Sequence, residues 1–130
     1  NYTFTFDTKE IDERNDKILL TLNGIFDENE KDPVLNSYIG DYYNIVKNDK
    51  KLAIKYYKKG DNGYGLNNLS ILYNKMGNIQ LFLKYALLSI DKGNSMAMYN
   101  LANYYNELYQ KDPNETYKKL SIKYHSMSDS

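Results

Sequence analysis

The 130-residue sequence has no cysteine, two prolines, one histidine and one arginine. Without cysteine neither a disulfide nor a thiolate metal site can form, which suits a reducing compartment. No stretch approaches the roughly 18 consecutive apolar residues of a membrane-spanning helix, so no membrane span is expected. No charged n-region, apolar h-region and small-residue cleavage site open the chain, so no secretory signal is expected and a cytoplasmic location is. The chain opens at Asn1 rather than at a methionine, which leads us to expect a removed leader or a longer N-terminal part. The patterns G-x-x-x-x-G-K-[S/T], G-x-S-x-G and H-E-x-x-H are missing. No general acid/base pair or nucleophile constellation can be named, so the expectation is a protein that is not an enzyme and needs no cofactor. The lone His125, without cysteine or carboxylates at ligand spacing, reads as a surface residue, and no metal site is expected. Asp12, Glu13 and Asp16 form an acidic run but lack the glycine turn and the D-x-D-x-D-G order of a calcium loop.

Charge is balanced overall and uneven along the chain. Residues 1–32 carry nine acids and four bases, net −5, and residues 33–130 carry eight acids and thirteen bases, net +5. One Arg beside 16 Lys, with 17 Asn and 15 Tyr, is the usage of an AT-rich genome, so any one such residue says little. Zero net charge and a single arginine weigh against a helical-repeat nucleic-acid binder, because backbone binding needs a basic stripe. Lys50, Lys51, Lys55, Lys58 and Lys59 could face a phosphate or acidic partner; the plainer reading is a solvated convex surface. Sequons at Asn1, Asn68 and Asn114 are close to what this asparagine content gives by chance.

What the chain does have is an internal repeat. L-x-[I/L]-K-Y occurs as LAIKY at 52–56, LFLKY at 81–85 and LSIKY at 120–124. Upstream of each lies [I/L]-[G/S/A]-x-[Y/L]-Y-N, as IGDYYN at 39–44, LSILYN at 69–74 and LANYYN at 101–106. The upstream element recurs after 30 and 32 residues, the pentapeptide after 29 and 39. Ile39 with Tyr43, Leu69 with Tyr73 and Leu101 with Tyr105 are i,i+4 pairs, as are Leu52 with Tyr56, Leu81 with Tyr85 and Leu120 with Tyr124, so both segments read as helices. Asp32-Pro33 and Asp112-Pro113 predict N-caps with proline at the first helical position, the second helped by Glu115. Gly60, Gly77 and Gly93 sit where left-handed C-cap residues are wanted. The predicted helices are 33–47, 50–59, 65–76, 79–91, 96–110 and 114–126. Gly40, Ser70 and Ala102 share a position where two helices must come close, and Gly65 and Ala97 form a second small pair. Lys55, Lys84 and Lys123 are expected to snorkel beside the repeated tyrosine. A single helical hairpin cannot bury its apolar face alone, whereas stacked hairpins can.

The run IDKGNSMAMYNLANYY, residues 90–105, resembles the Sel1-like repeat, a branch of the tetratricopeptide superfamily. Gly93, Ala97, Leu101, Ala102 and Tyr105 fall on the family's G, A, L, G and Y. Gly65, Leu69, Ser70 and Tyr73 fit in the previous repeat, and Ile39, Gly40 and Tyr43 in the first. Phe82 and Ser121 stand where the family prefers alanine, and Ser70 and Ala102 where it prefers glycine. The Tyr/Asn/Lys-rich wording resembles versions common in large DNA viruses (giant viruses) and AT-rich microbes; in a viral protein the expected location would be the host cytoplasm. The resemblance implies an all-α, right-handed α-solenoid of about three helix-turn-helix repeats, at 33–64, 65–95 and 96–130. It also implies a scaffold for protein–protein contact without catalytic residues.

Residues 1–32 do not fit the repeat. Tyr2, Phe4 and Phe6 alternate as in a short extended segment. Asp7 with Glu10 makes a capping-box spacing, and Ile11, Ile18, Leu19, Leu22, Ile25 and Phe26 follow at helical intervals. These predict one helix over 9–26 that covers the apolar end of the first hairpin, with a partner-docking segment as the alternative.

Asn44, Asn74 and Asn106 all follow the aligned tyrosine. Counting back at i−3 and i−7 gives Asp41 and Ser37, Ile71 and Asn67, Asn103 and Tyr99. If the first helix of each hairpin lines a concave side, these nine residues form a mostly polar groove for a partner peptide or helix. The asparagine amides would meet its backbone and Tyr99 would serve as the aromatic anchor. The alternative is that the asparagines satisfy helix ends and loops. The expected function is therefore a non-catalytic interaction scaffold or adaptor. A structural subunit that self-associates or docks through a solenoid end is the second reading.

Overall fold

The computed structural model describes the backbone of residues 8–130 and the side chains of residues 13–130. The predicted segment Tyr2-Phe4-Phe6, the Asp7–Glu10 cap, the sequon at Asn1 and the side chains of Ile11 and Asp12 lie outside the described residues. The described chain is all-helical: α1 Thr8–Leu22, α2 Pro33–Asp41, α3 Lys50–Gly60, α4 Gly63–Lys75, α5 Ile79–Asp91, α6 Ser95–Lys111 and α7 Glu115–Asp129. A π-helical turn, Tyr42–Val46, continues α2. Sequence neighbours pack as pairs, α2 on α3, α4 on α5 and α6 on α7, with α1 against α2 and α5 against α6. Among the described residues no helix is long and apolar enough to cross a membrane. The chain divides into two compact units between Gly60 and Asp61.

Asparagine and aspartate start the helices. Asp32 accepts from the Val34 N–H with Pro33 behind it, and Asp49 accepts from the Leu52 N–H. Asn62, Asn78, Asn94 and Asn114 accept from the N–H groups of Gly65, Leu81, Ala97 and Thr116. Each such cap satisfies one N–H that the helix itself cannot, which stabilises by about 1 kcal/mol. The expected cap at Asp112 is thereby corrected. Asp112 ends α6, its N–H donating to the Leu108 carbonyl at 2.8 Å. Asn114, two residues on, is the shorter route to the first free amides of α7.

Three helices end on glycine in the left-handed region, at Gly24, Gly77 and Gly93, with φ of 85°, 80° and 82°. In each case the next N–H reaches a carbonyl five residues back: Ile25 to Leu20, Asn78 to Tyr73 and Asn94 to Ser89. These are Schellman closures. Gly24 therefore stops α1 at Leu22, and the helix expected over 9–26 is too long. Its apolar spacing also misassigned a face, because Leu19, Leu22 and Ile25 are exposed rather than covering the first hairpin. Gly60 is not a left-handed cap either; the positive φ falls on Asp61. Gly60 is needed because a Cβ there would lie 2.5 Å from Ser37 Oγ and 3.0 Å from the Pro33 carbonyl oxygen.

The uneven spacing of the repeat has a structural cause. From Tyr43 to Leu52 is one residue more than from Tyr73 to Leu81. The π turn absorbs that residue, with the Lys47 N–H on the Tyr42 carbonyl at 3.2 Å. From Tyr105 to Leu120 is seven residues more than from Tyr73 to Leu81. There α6 runs on to Lys111 and a short Asp112–Asn114 connection follows.

Each hairpin is closed by one tyrosine sandwich. Tyr43 stacks on Tyr56, Tyr73 on Tyr85 and Tyr105 on Tyr124, with ring centroids 5.5, 5.5 and 6.1 Å apart and planes within 16°. Tyr56, Tyr85 and Tyr124 are all buried. Beside each sits the lysine of the pentapeptide, Lys55, Lys84 or Lys123, its ammonium 5.3 to 5.4 Å from the ring centroid. The pentapeptide thus supplies a ring for the stack and a cation for that ring. Gly40, Ser70 and Ala102 are buried as expected, and a Cβ on Gly40 would lie 2.5 Å from the Tyr57 ring.

Candidate functional site

Of the nine residues singled out by the repeat alignment, three belong to the first unit. Ser37 is fully buried and its Oγ donates to the Pro33 carbonyl at 3.1 Å. Asp41 is buried and accepts from the Tyr57 hydroxyl at 2.5 Å. Both therefore serve the packing of α2 on α3. Asn44 is half-buried within the π turn, where the wider winding takes it out of α-helical register with Asp41.

The second unit brings three of the remaining six together. Ile71 and Asn74 of α4 and Asn103 of α6 line one cleft of about 250 Å³. Phe82, Asn100, Tyr104 and Glu107 complete its wall. Asn67, buried at the base of α4, accepts from Asn100 Nδ2 at 3.2 Å. That bond ties α4 to α6 and leaves the Asn100 carbonyl oxygen as an acceptor for the cleft. Asn106 is exposed and lies outside the cleft. Tyr99, the expected anchor, also lies outside it: half-exposed, it meets the ring of His125 edge-on at 5.9 Å.

Asn100, Tyr104 and Glu107 were not singled out in the sequence, although a signal was present. Residues 100, 103, 104 and 107 fall at i, i+3, i+4 and i+7, a single stripe along α6. The alignment column followed Asn106 and its i−3 and i−7 neighbours, a strip displaced around the helix from this one.

The cleft is a mixed surface. Tyr104 and Phe82 form an edge-to-face pair with centroids 5.2 Å apart, and Tyr104 also meets Tyr105 edge-on. Beneath them Tyr105 stacks between Tyr124 and Tyr117. Burial, and then the neighbouring Tyr124, Tyr104 and Tyr117, push the Tyr105 phenol above its ordinary value, so it stays neutral. The polar lining is three amides, Asn74, Asn100 and Asn103, and one carboxylate, Glu107. Amides offer both donors and acceptors, which suits a peptide backbone. At about 250 Å³ the cleft is smaller than the roughly 300–1,000 Å³ typical of small-molecule sites.

The first unit has a larger cleft of about 470 Å³ between α1 and α2, lined by Lys17, Leu20, Thr21, Ile25, Phe26 and Leu35 with two acids. Among the described residues no group of three or more His, Asp and Glu could hold a metal ion. Compared with family models, with curated proteins and with solved structures, the chain matches none of them.

Proposed function

We propose that this chain is a non-catalytic protein–protein interaction module built from Sel1-like helical repeats arranged as a right-handed α-solenoid. Its second unit would take a partner in extended form. The single observation that carries this reading is the cleft in which Ile71, Asn74 and Asn103 meet Asn100, Tyr104 and Glu107. Three amides on two adjacent helices can exchange hydrogen bonds with a backbone that has no helix or sheet of its own. The apolar wall of Ile71, Phe82 and Tyr104 would take one side chain of the partner. Resemblance to the Sel1-like pattern and the repeated tyrosine sandwich support a scaffold, and no residue constellation supports catalysis.

The test is selection from a display library of random peptides. Wild-type protein should enrich a common motif. Asn74→Ala combined with Asn103→Ala should weaken the best peptide at least about tenfold, the loss of two hydrogen bonds of roughly 1 kcal/mol each. Both residues lie at the surface or half-buried, so thermal stability should change by less than about 1 kcal/mol. Enrichment that the double variant leaves intact would remove the cleft from the reading.

A second reading, self-association through the N-terminal end, is favoured by one observation. Leu19, Leu20, Leu22 and Ile25 are 60%, 47%, 40% and 61% exposed, and Leu20 and Ile25 line the first-unit cleft. Sedimentation at rising concentration tests it: a growing mass that Leu19→Lys with Ile25→Lys abolishes supports self-association, and a constant monomer mass rejects it.

A further inference from the structure

We infer that the cleft of the second unit is selective for a peptide carrying a lysine or arginine, held between the Glu107 carboxylate and the Tyr104 ring. The inference rests on the peptide reading above and adds the charge of the guest. Glu107 is the only acid lining the cleft, and no lysine or arginine lines it. Among the described residues no cation pairs with Glu107; the ion pairs formed are Arg14–Asp32 and Lys92–Asp61.

A second, independent observation concerns the rings. Four tyrosines show how an ammonium sits on a ring in this chain: Lys55 and Lys59 over Tyr56, Lys84 over Tyr85, Lys123 over Tyr124 and Lys47 over Tyr42. Tyr104 offers the same kind of ring to a guest. It lines an open cleft one helical turn from a carboxylate, and no lysine of the described residues lies over it. A cation from outside the chain gains the ring and the carboxylate together. Each contact alone is weak at a partly exposed site, and the pair is worth more where both act on one desolvated charge. The three amides beside it then fix the backbone on either side of that residue. An acidic or neutral residue at this position would meet Glu107 without compensation, so the same geometry discriminates against it.

The inference is tested by the same peptide selection on three proteins: wild type, Glu107→Gln and Glu107→Lys. Glu107 is exposed, so both variants should fold, which a thermal melt confirms. Wild type should enrich peptides with Lys or Arg at one fixed position. Glu107→Gln should lose that preference and bind the best wild-type peptide roughly three- to tenfold more weakly, with less dependence on salt. Glu107→Lys should enrich Asp or Glu at the same position. Enrichment without a basic position, or a basic preference that survives Glu107→Gln, overturns the inference and leaves the peptide cleft standing. Absence of any enrichment overturns both.

Discussion

In the first hairpin the carbonyl of Pro33, at the start of α2, accepts a hydroxyl from its own helix, Ser37. In the second hairpin the equivalent carbonyl, that of Gly63, accepts from the opposite helix, Ser89 Oγ at 2.7 Å. The serine has changed sides. Where Ser37 fills the gap, the facing helix has Gly60, and a Cβ there would clash with it. Where Ser89 fills the gap, α4 has Asn67 in place of Ser37, and that side chain reaches across to hold Asn100. One small exchange between facing helices thus separates a closed hairpin from one that orients an amide of the candidate site. Both hairpins keep the tyrosine sandwich, so the glue is shared and the lining is not.

The sandwich should show the largest effect. Tyr56→Ala and Tyr85→Ala each remove a buried ring from a stack, and each should cost about 3–5 kcal/mol. Tyr56→Phe retains the ring and should cost less than about 1 kcal/mol. Chemical denaturation gives the sizes, and residue-resolved hydrogen exchange shows which unit is loosened. A cost below 1 kcal/mol for either alanine variant would mean that the ring stacks are incidental to the hairpins.

The serine exchange should be separable by a double-mutant cycle. Gly60→Ser alone places a side chain against Ser37 Oγ and should destabilise by roughly 1–3 kcal/mol. Adding Ser37→Ala removes the closest of these contacts, the one with Ser37 Oγ, and leaves the Pro33 carbonyl as the acceptor for the new hydroxyl, as Gly63 is for Ser89. The pair should then recover at least about 1 kcal/mol. Additive costs would show that the two positions do not compete for one site.

How much of this was legible beforehand depended on whether the determinant was local. The repeated pentapeptide marks the second helix of every hairpin, since Leu52, Leu81 and Leu120 sit one turn before the buried tyrosine in each case, and the upstream element marks the first. Gly77 and Gly93 marked helix ends because a left-handed residue is a local demand. Gly24 carries no such mark in the sequence, because Ile25 and Phe26 continue the apolar spacing beyond it and spacing says nothing about φ. Asp112 competed with Asn114 for one cap, and only the path of α6 decides between them. Ser37 and Asp41 shared a helix face with Asn44, but the facing helix α3 supplies the Tyr57 hydroxyl that encloses Asp41. The cleft required knowing which strip of α6 faces α4, and the repeat column alone pointed about one residue away from it.

Helix ends sharpen the comparison at a smaller scale. The second hairpin turns on Gly77, whose added Cβ would meet nothing within 4 Å, so Gly77→Ala tests backbone conformation alone. It should cost about 1–2 kcal/mol. The first hairpin turns on Asn48 at φ 50°, a residue that tolerates the left-handed region. Asn48→Gly should therefore change stability by less than about 0.5 kcal/mol. Thermal melts of the two variants would contradict this if Asn48→Gly proved the larger change.

The smallest difference is in acid. Asp32 caps α2 and accepts from Arg14, the sole arginine, at 3.0 and 3.1 Å. Burial alone would raise its carboxyl pKa, but the hydrogen bonds from Arg14 and the Val34 N–H and the Arg14 charge outweigh it and hold the group below the ordinary 3.8. The folded chain then releases this proton more readily than the unfolded chain does. The resulting stability is complete above 3.8 and fades as pH falls through the lower folded value. Both partners are partly exposed, so the effect should stay under about 1 kcal/mol and weaken with salt. It belongs to the first unit alone. At the other extreme, Tyr56 of the first unit, raised by burial and then by Tyr43 and Glu28, and Tyr105 of the second both sit above the ordinary 10.0. A raised phenol stabilises below the unfolded value and loses that contribution as pH climbs through the folded one, so alkali should loosen both units. Hydrogen exchange at low pH should thus show α1 and the start of α2 opening first, and Arg14→Gln should abolish the difference. Equal opening of α2 and α4 in the unmodified protein would show that the Arg14–Asp32 pair does not set the acid response.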